Sequence, residues 1–233
     1  MKKSFLYTAM ALLFGFCVAA AMCVRALMQP TAVAQVAAMR VVVDAGHGGI
    51  DGGVVGVKSG VKESDVNLAL SFALKDRLTD AGFAVTMTRS TQEGLYGDTS
   101  PGFKRRDMEK RKQIVEAASP LCVLSVHQNF YPSSASRGAQ VFYGRGSEQS
   151  RLLAQSLQTE LNALYAEEGV KARSHMAADY YMLRLTPPSV IVECGFLSNP
   201  KDDALLNDPS FCAALADGMT AGLLAYLENL AQI

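Results

Sequence analysis

Short apolar runs alternate along the chain with longer segments of helical period. Arg40–Ala45 (RVVVDA) is short and rich in β-branched residues, and Leu121–His127 and Ser189–Cys194 have the same character. All three are therefore predicted to be buried strands. Phe83–Arg89 alternates like a further strand, and Gly138–Tyr143 is a weaker candidate.

Four longer segments between or after these strands are predicted to be helices. In Ser64–Ala81 apolar residues recur at helical spacing, and Gly82 follows as a stop signal. The other three segments are Arg105–Ala118, Ser150–Glu168 and Pro209–Leu230. Strands of unbroken Val, Ile and Leu that alternate with helices predict an α/β fold. We expect a single domain with a twisted, mostly parallel sheet that is flanked by helices on both faces.

The N-terminal segment, residues 1–34, has the pattern of a targeting sequence. Two lysines precede a mostly apolar, uncharged run over residues 4–24, which is long enough to span a bilayer as a helix. Residues 32–34 (AVA) have the small-x-small form of a signal peptidase site. A cleaved signal peptide and an uncleaved membrane anchor both stay open, and both place the domain over residues 39–232 outside the cytoplasmic membrane.

The charge of the chain bears on its partners, and its cysteine content bears on the kind of site it can have. The 233 residues carry 22 basic and 22 acidic side chains, and three of the basic ones lie in residues 1–34, which hold no acid. The remainder is mildly acidic, so no nucleic-acid partner is predicted. Beyond the N-terminal segment only Cys122, Cys194 and Cys212 occur, with no Cys-x-x-Cys spacing, and we interpret them as small core residues.

Polar residues follow three of the predicted strands where each strand ends. His47 lies in the glycine-rich turn after the first strand, His127 ends the third, and Glu193 ends the last. Glu63 comes just before the first helix. Ligands of open α/β sheets bind beyond the carboxyl ends of the strands, so these side chains are expected to converge.

Two imidazoles and a carboxylate that leave a fourth position open are typical of a catalytic zinc site. Such a site needs a general base, and Glu193 is the remaining carboxylate at a strand end. Structural alternatives exist for each residue. A strand-end histidine can be a satisfied structural group, and Glu63 can simply favour the dipole of the helix that follows. A carboxylate after the buried run Val190–Val192 is harder to explain without a partner.

Several further polar residues have two open interpretations. Asp44 and Asp51 either orient the imidazole in the turn or cap the turn itself. Arg89, at the end of the second strand, is interpreted as structural. Asn129 and Arg184 are candidate substrate contacts, and each is equally explained as an ordinary hydrogen-bonding loop residue.

Two other enzyme classes can be weighed from the same residues. The turn at Gly46–Gly48 fits the first half of a dinucleotide-binding fingerprint, but Asp51 stands where its third glycine is required. Cys194 beside His127 would suit a cysteine nucleophile. It lies in an apolar run without a basic neighbour to lower its pKa, so this class is disfavoured.

Four motifs in order carry a family resemblance: VDAGHGG at 43–49, KESDVNL at 62–68, SVHQN at 125–129 and VECGFLSN at 192–199. Over roughly residues 39–230 the chain resembles the zinc-dependent N-acetylmuramoyl-L-alanine amidases of bacterial cell walls. The resemblance implies a twisted sheet flanked by helices, with His47, Glu63 and His127 as Zn²⁺ ligands and Glu193 as the catalytic acid–base. It also implies peptidoglycan as the substrate, cleaved between N-acetylmuramic acid and L-alanine.

Two shorter stretches, Glu93–Tyr96 and Arg105–Met108, resemble the CwlD-like sporulation and germination subgroup of that family. This implies a role in the spore cortex. The protein is expected to lie in the cell wall or on the outer side of the cytoplasmic membrane. Two alternatives stay open: a zinc peptidase that cuts within the stem peptide, and a glycan-binding module without turnover. The need for an activating partner protein also stays open.

Overall fold

The computed structural model describes residues 39–232, so the predicted signal peptide or membrane anchor at 1–34 lies outside the described residues. Six strands form one sheet in the order β2-β1-β3-β6-β4-β5. Their bounds are Arg40–Ala45 (β1), Ala84–Met87 (β2), Cys122–Asn129 (β3), Gln140–Gly144 (β4), Met176–Ala178 (β5) and Ser189–Phe196 (β6). Strands β2, β1, β3 and β6 are mutually parallel.

Five helices and one 3₁₀ turn complete the described part of the chain. They are Glu63–Asp80 (α1), Phe103–Ala118 (α2), Glu148–Glu167 (α3), Pro200–Leu206 (α4), Pro209–Leu230 (α5) and the 3₁₀ turn Tyr181–Arg184. Local signals explain their ends. Ser147 caps α3 by accepting a hydrogen bond from the Ser150 N–H, and Asp208 caps α5 in the same way.

Successive strand residues point to opposite faces of the sheet, and helices pack against both faces. Val42 of β1 and Val123 of β3 pack with Val115 of α2 and with Met182 of the 3₁₀ turn. Helix α1 packs on β1, β2 and β3, α3 packs on β4 and β6, and α5 packs on both α1 and α3. The predicted α/β class and the coverage of both faces are therefore confirmed.

Helix α5 is the one helix in residues 39–232 whose length and apolar composition would suffice to cross a membrane. Its inward side is buried, with Leu215, Met219 and Leu223 fully enclosed. Its apolar character is therefore explained by packing against α1 and α3.

All nine predicted elements are present, with ends that agree to within two residues. The structure adds β5, α4 and the 3₁₀ turn. These are short segments of three to seven residues, in which hydrophobic periodicity gives no usable signal. It also shows that β4 runs antiparallel to β6, with Gln140 opposite Glu193. A sequence run predicts that a strand exists but not its direction.

Candidate metal centre

Three parallel neighbours, β1, β3 and β6, place their carboxyl ends side by side at one edge of the sheet. His127 of β3 and Glu193 of β6 are direct partners in this register. His47 follows β1 by two residues. The predicted convergence of strand-end side chains is therefore what the fold produces.

His47 is held by an unusual backbone and by buried donors. Its φ is 61°, in the left-handed region that non-glycine residues seldom adopt. Its carbonyl oxygen accepts a hydrogen bond of 2.6 Å from the buried guanidinium of Arg111. The preceding residue, Gly46, lies against the ring of His127, and a Cβ at Gly46 would overlap that imidazole. The glycine thus allows the two histidines to approach each other.

Glu63 is the first residue of α1, and its side chain is almost fully buried. Its Oε2 accepts from the Val54 N–H at 3.1 Å, and its Oε1 accepts from the Gln128 N–H at 3.1 Å. Asn67, one helical turn later, donates to the Gly46 carbonyl and approaches Glu63 Oε1 at 3.4 Å. The carboxylate is therefore fixed from three directions and aimed at the two histidines.

His47, Glu63 and His127 form a compact donor cluster whose ligand atoms all lie within 4.8 Å of one another. Glu63 Oε1 is 3.2 Å from His47 Nε2 and 3.1 Å from His127 Nδ1. Neighbouring ligand atoms of a tetrahedral zinc lie about 3.3 Å apart when each is about 2.0–2.1 Å from the ion. The donor types and these two separations fit such an ion.

The charges around His47 also favour a cation. Its Nδ1 is 3.1 Å from Asp51 Oδ2, on the side of the ring opposite to Glu63. Burial alone would lower the pKa of His47, but hydrogen bonds to Asp51 and Glu63 outweigh it and raise the pKa to about 9. Of the two interpretations of Asp51, the structure supports the one in which it orients the imidazole.

Glu193 is half-buried, and its surroundings differ from those of Glu63. Burial raises the pKa of Glu193 to about 7, against the opposing charge of His127. Its Oε2 is buried and has no hydrogen-bond partner among the described residues. A buried acceptor without a partner is unusual and is best explained by a group that the site is built to receive.

Two arginines that the sequence did not mark as site residues support this edge of the sheet. Arg111 of α2 pairs with Asp44 and also donates to the carbonyls of Ala45 and His47. Arg89 donates to the carbonyls of Ala45, Gly46 and Ser64. Asp44 therefore serves the arginine and does not contact the imidazole, and the structural interpretation of Arg89 agrees with these bonds.

The two candidate substrate contacts differ in position. Asn129 lines an opening at the cluster together with Phe130 and Val54. Arg184 is exposed and forms an ion pair with Asp179, with 2.8 Å between Nε and Oδ1. It is not among the residues that line the cavities next to the cluster.

Cys194 follows Glu193 directly but faces the core. Its side chain is fully buried, and burial raises the pKa of its thiol well above the ordinary value. The thiolate that a nucleophilic cysteine requires is therefore disfavoured here.

The chain is similar to known proteins of one family. A family model described as N-acetylmuramoyl-L-alanine amidase matches residues 41–225. The germination-specific N-acetylmuramoyl-L-alanine amidase of Bacillus subtilis is 33% identical over 189 residues, which cover 80% of this chain and 78% of the relative.

Solved structures share the fold. The CwlD amidase of Clostridioides difficile, in complex with the GerS lipoprotein, has a TM-score of 0.77 and 31% identity, and the match covers 82% of this chain and 98% of that one. The catalytic domain of CwlV from Bacillus (Paenibacillus) polymyxa var. colistinus has a TM-score of 0.71 and 29% identity, with the same coverage.

Proposed function

The chain belongs to the Amidase_3 family of N-acetylmuramoyl-L-alanine amidases, and we propose that His47, Glu63 and His127 hold its Zn²⁺ while Glu193 acts as acid–base. The chain is a peptidoglycan hydrolase. The bond it cleaves joins the lactyl group of N-acetylmuramic acid to the L-alanine of the stem peptide.

One observation carries the assignment of residues. The three donor groups come from distant stretches of the chain and meet within 4.8 Å, and Glu193 stands opposite His127 in the strand register. A structural role for Glu63 alone would not require two imidazoles at hydrogen-bond distance from one carboxylate oxygen.

Zn²⁺ at this cluster would act as a Lewis acid that polarises the amide carbonyl and stabilises the charge developing on its oxygen. The remaining work falls to the chain. A pKa near 7 suits Glu193 to take a proton from the attacking water and return it to the departing amine of L-alanine. Asp51 holds the His47 ring in place through Nδ1, and Glu63 is fixed by backbone donors.

Substrate contacts are assigned to Asn129 and Arg184. Asn129 supports its assignment by lining the opening at the cluster. Arg184 would have to leave its partner Asp179 in order to reach a substrate, so this assignment depends on a rearrangement of an exposed ion pair.

Defined muropeptides with mass analysis of the products test the function. The wild type is expected to contain zinc and to release intact stem peptides, leaving free muramic acid carboxyl groups. The Glu193→Ala variant is expected to keep its fold and zinc but to lose hydrolysis. Shortened stems would instead indicate a peptidase, and binding to sacculi without any release would indicate a glycan-binding module. Peptide release by Glu193→Ala at the normal rate would exclude the acid–base role.

Action on peptidoglycan implies that the domain works outside the cytoplasm. We assign residues 1–34 to export, either as a cleaved signal peptide or as a membrane anchor. N-terminal sequencing of the protein recovered from cells separates the two outcomes: a start near Gln35 indicates cleavage, and an intact N-terminus in the membrane fraction indicates an anchor.

A role in the spore cortex is supported by the germination-specific relative from Bacillus subtilis. The solved complex of the CwlD amidase with a lipoprotein supports an activating partner protein for this chain as well. Zinc content and turnover of the isolated protein test that partner: full zinc occupancy and full activity without any addition would contradict it.

A further inference from the structure

A cavity of about 320 Å³ opens beside the metal cluster, and its walls are largely aromatic and apolar. The aromatic side chains in its lining are Tyr96, Phe103, Tyr180 and Tyr181. It shares His47, His127 and Glu193 with the second opening, which Asn129 and Phe130 line. The two also share Asp51 and Lys104, so two openings of different character adjoin the same cluster.

Packing contacts with neighbouring residues hold the aromatic wall of this cavity in place. Met182 is buried in the cluster formed by β1, β3 and α2, which anchors the 3₁₀ turn that begins at Tyr181. Tyr180 meets Phe142 of β4 edge to face, with 5.9 Å between ring centroids. Tyr96 meets Phe103 in the same way, with 5.5 Å between ring centroids. Tyr96 is buried, Phe103 is half-buried, and Tyr180 and Tyr181 are exposed. The packed rings keep the wall of the cavity in one shape, which suits recognition of a rigid partner at a low entropic cost.

The charges of this cavity disfavour an acidic ligand. Apart from the two histidines of the metal cluster, its lining contains two cationic side chains, and both are already paired. Lys104 Nζ is 3.3 Å from Asp51 Oδ1, and Arg111 forms ion pairs of 2.6 Å with both Asp44 and Asp107. With Glu193 the lining holds four carboxyl groups against two cations. The stem peptide beyond L-alanine carries carboxylates, and these lining residues offer them no unpaired cation. The second opening contains the same paired Lys104 and no other lysine or arginine, so the four aromatic side chains distinguish this cavity from it.

We propose that this cavity, lined by Tyr96, Phe103, Tyr180 and Tyr181, is the subsite for the sugar part of the substrate. Its occupant is a neutral N-acetylated pyranose next to the scissile amide, whose apolar C–H faces stack on the fixed rings. The inference rests on the proposed function, since the sugar is the one attached to the lactyl group. It adds that the glycan occupies the aromatic cavity, which leaves the second opening to the stem peptide.

Two substrates with the same amide and the same peptide test the subsite: a disaccharide-peptide, and the matching lactoyl-peptide that lacks the sugar. The Tyr181→Ala variant is expected to lose about fivefold to tenfold in kcat/KM on the disaccharide-peptide, as one lost aromatic stacking contact predicts. Its kcat/KM on the lactoyl-peptide is expected to stay at the wild-type value. Tyr181→Phe keeps the ring and is expected to behave like the wild type on both substrates.

Phe72→Ala is the control, because Phe72 is an exposed aromatic residue of α1 that lines neither cavity. It is expected to leave both substrates unaffected. An equal loss on both substrates in Tyr181→Ala would show a role in folding, in chemistry or in binding the shared peptide, and would overturn the proposal. No loss on the disaccharide-peptide would overturn it as well.

Calorimetric titration with the peptide-free disaccharide gives a second readout that does not depend on turnover. The zinc-loaded wild type is expected to bind it, and Tyr181→Ala is expected to bind it about fivefold to tenfold more weakly. No binding by the wild type would overturn the subsite. If the wild type binds the disaccharide but cleaves neither substrate, the proposed function fails while the subsite stands.

Discussion

Asp44 and Arg111 form a fully buried ion pair, with 2.6 Å between Oδ1 and Nη1, directly beneath the turn that carries His47. Ser125 and Thr88 donate to the same carboxylate, and Arg111 donates onward to the His47 carbonyl oxygen. The network joins β1, β3 and α2, and it connects the sheet core to the backbone of a proposed metal ligand. Four predictions follow from this and from the other contacts of the site.

Replacing Arg111 by Met is expected to destabilise the fold strongly, because Asp44 would remain buried without its cation. Breaking a buried pair on one side costs about 3–5 kcal/mol. Urea unfolding of the zinc-free protein measures the loss. Arg105→Met is the control on the same helix, since Arg105 and Glu109 form an exposed pair, and it is expected to leave the unfolding midpoint unchanged. Equal unfolding midpoints for the two variants would contradict a stabilising role of Arg111.

Acid is expected to remove the stabilisation that the Asp44 carboxylate provides. Burial alone would raise the pKa of Asp44, but Arg111, Ser125 and Thr88 outweigh it and lower the pKa to about 2. Unfolded aspartate titrates near 3.9, so the contribution is complete above about pH 5 and is lost as pH falls toward about 2. It amounts to about 2–3 kcal/mol.

Comparing the zinc-free wild type with Asp44→Asn across this range isolates that contribution. The difference in unfolding free energy between the two proteins is expected to shrink as pH falls from 5 to 2. A constant difference would show that the charge of Asp44 contributes nothing.

Gly46→Ala is expected to weaken zinc binding, because the added Cβ would overlap the imidazole of His127 and displace it. Disturbing the support of a metal ligand typically costs about 10–100-fold in metal affinity. Competition with a chromogenic chelator measures the dissociation constant. Gly218→Ala, in α5, is the matched control, since its Cβ would meet Leu161 only at an ordinary 3.7 Å. Wild-type zinc affinity in Gly46→Ala would exclude His127 as a ligand in this geometry.

Cys194→Ala is expected to retain most of the turnover on a muropeptide, whereas Glu193→Gln next to it is expected to lose about a hundredfold or more. The thiol is buried and its pKa is raised, so it supplies no nucleophile. Labelling of the folded protein with iodoacetamide is expected to spare Cys194. Loss of activity in Cys194→Ala with an unchanged melting temperature would support Cys194 as a nucleophile.

The convergence of the proposed site could be predicted from the sequence because of a simple geometric rule. His127 and Glu193 end strands that are parallel neighbours, and the carboxyl ends of such strands meet at one edge. Glu63 was harder to place, since a glutamate at a helix start is common. Its role as a shared partner of both histidines appears only when α1 is seen packed against β1 and β3.

The residues that hold the site in position could not be predicted in the same way. Arg111 lies in a run of charged residues that is typical of a solvated helix face. The packing of α2 on β1 decides which side of the helix is buried. Arg89 and Asn67 act through bonds to backbone carbonyls, which leave no trace in residue spacing. The direction of β4 was likewise set by tertiary pairing and not by its own sequence.

That direction has a consequence for how the enzyme can diversify. Since β4 runs against β6, the segment from Phe130 to Ala139 connects β3 to β4 at the same end of the sheet as the metal cluster. Tyr131, Arg137 and Gly138 tie it to Ser198 and Asp202, which belong to neither the metal cluster nor the core strands. Insertions or deletions there would alter which wall polymers are admitted, while the hydrolytic apparatus stayed intact.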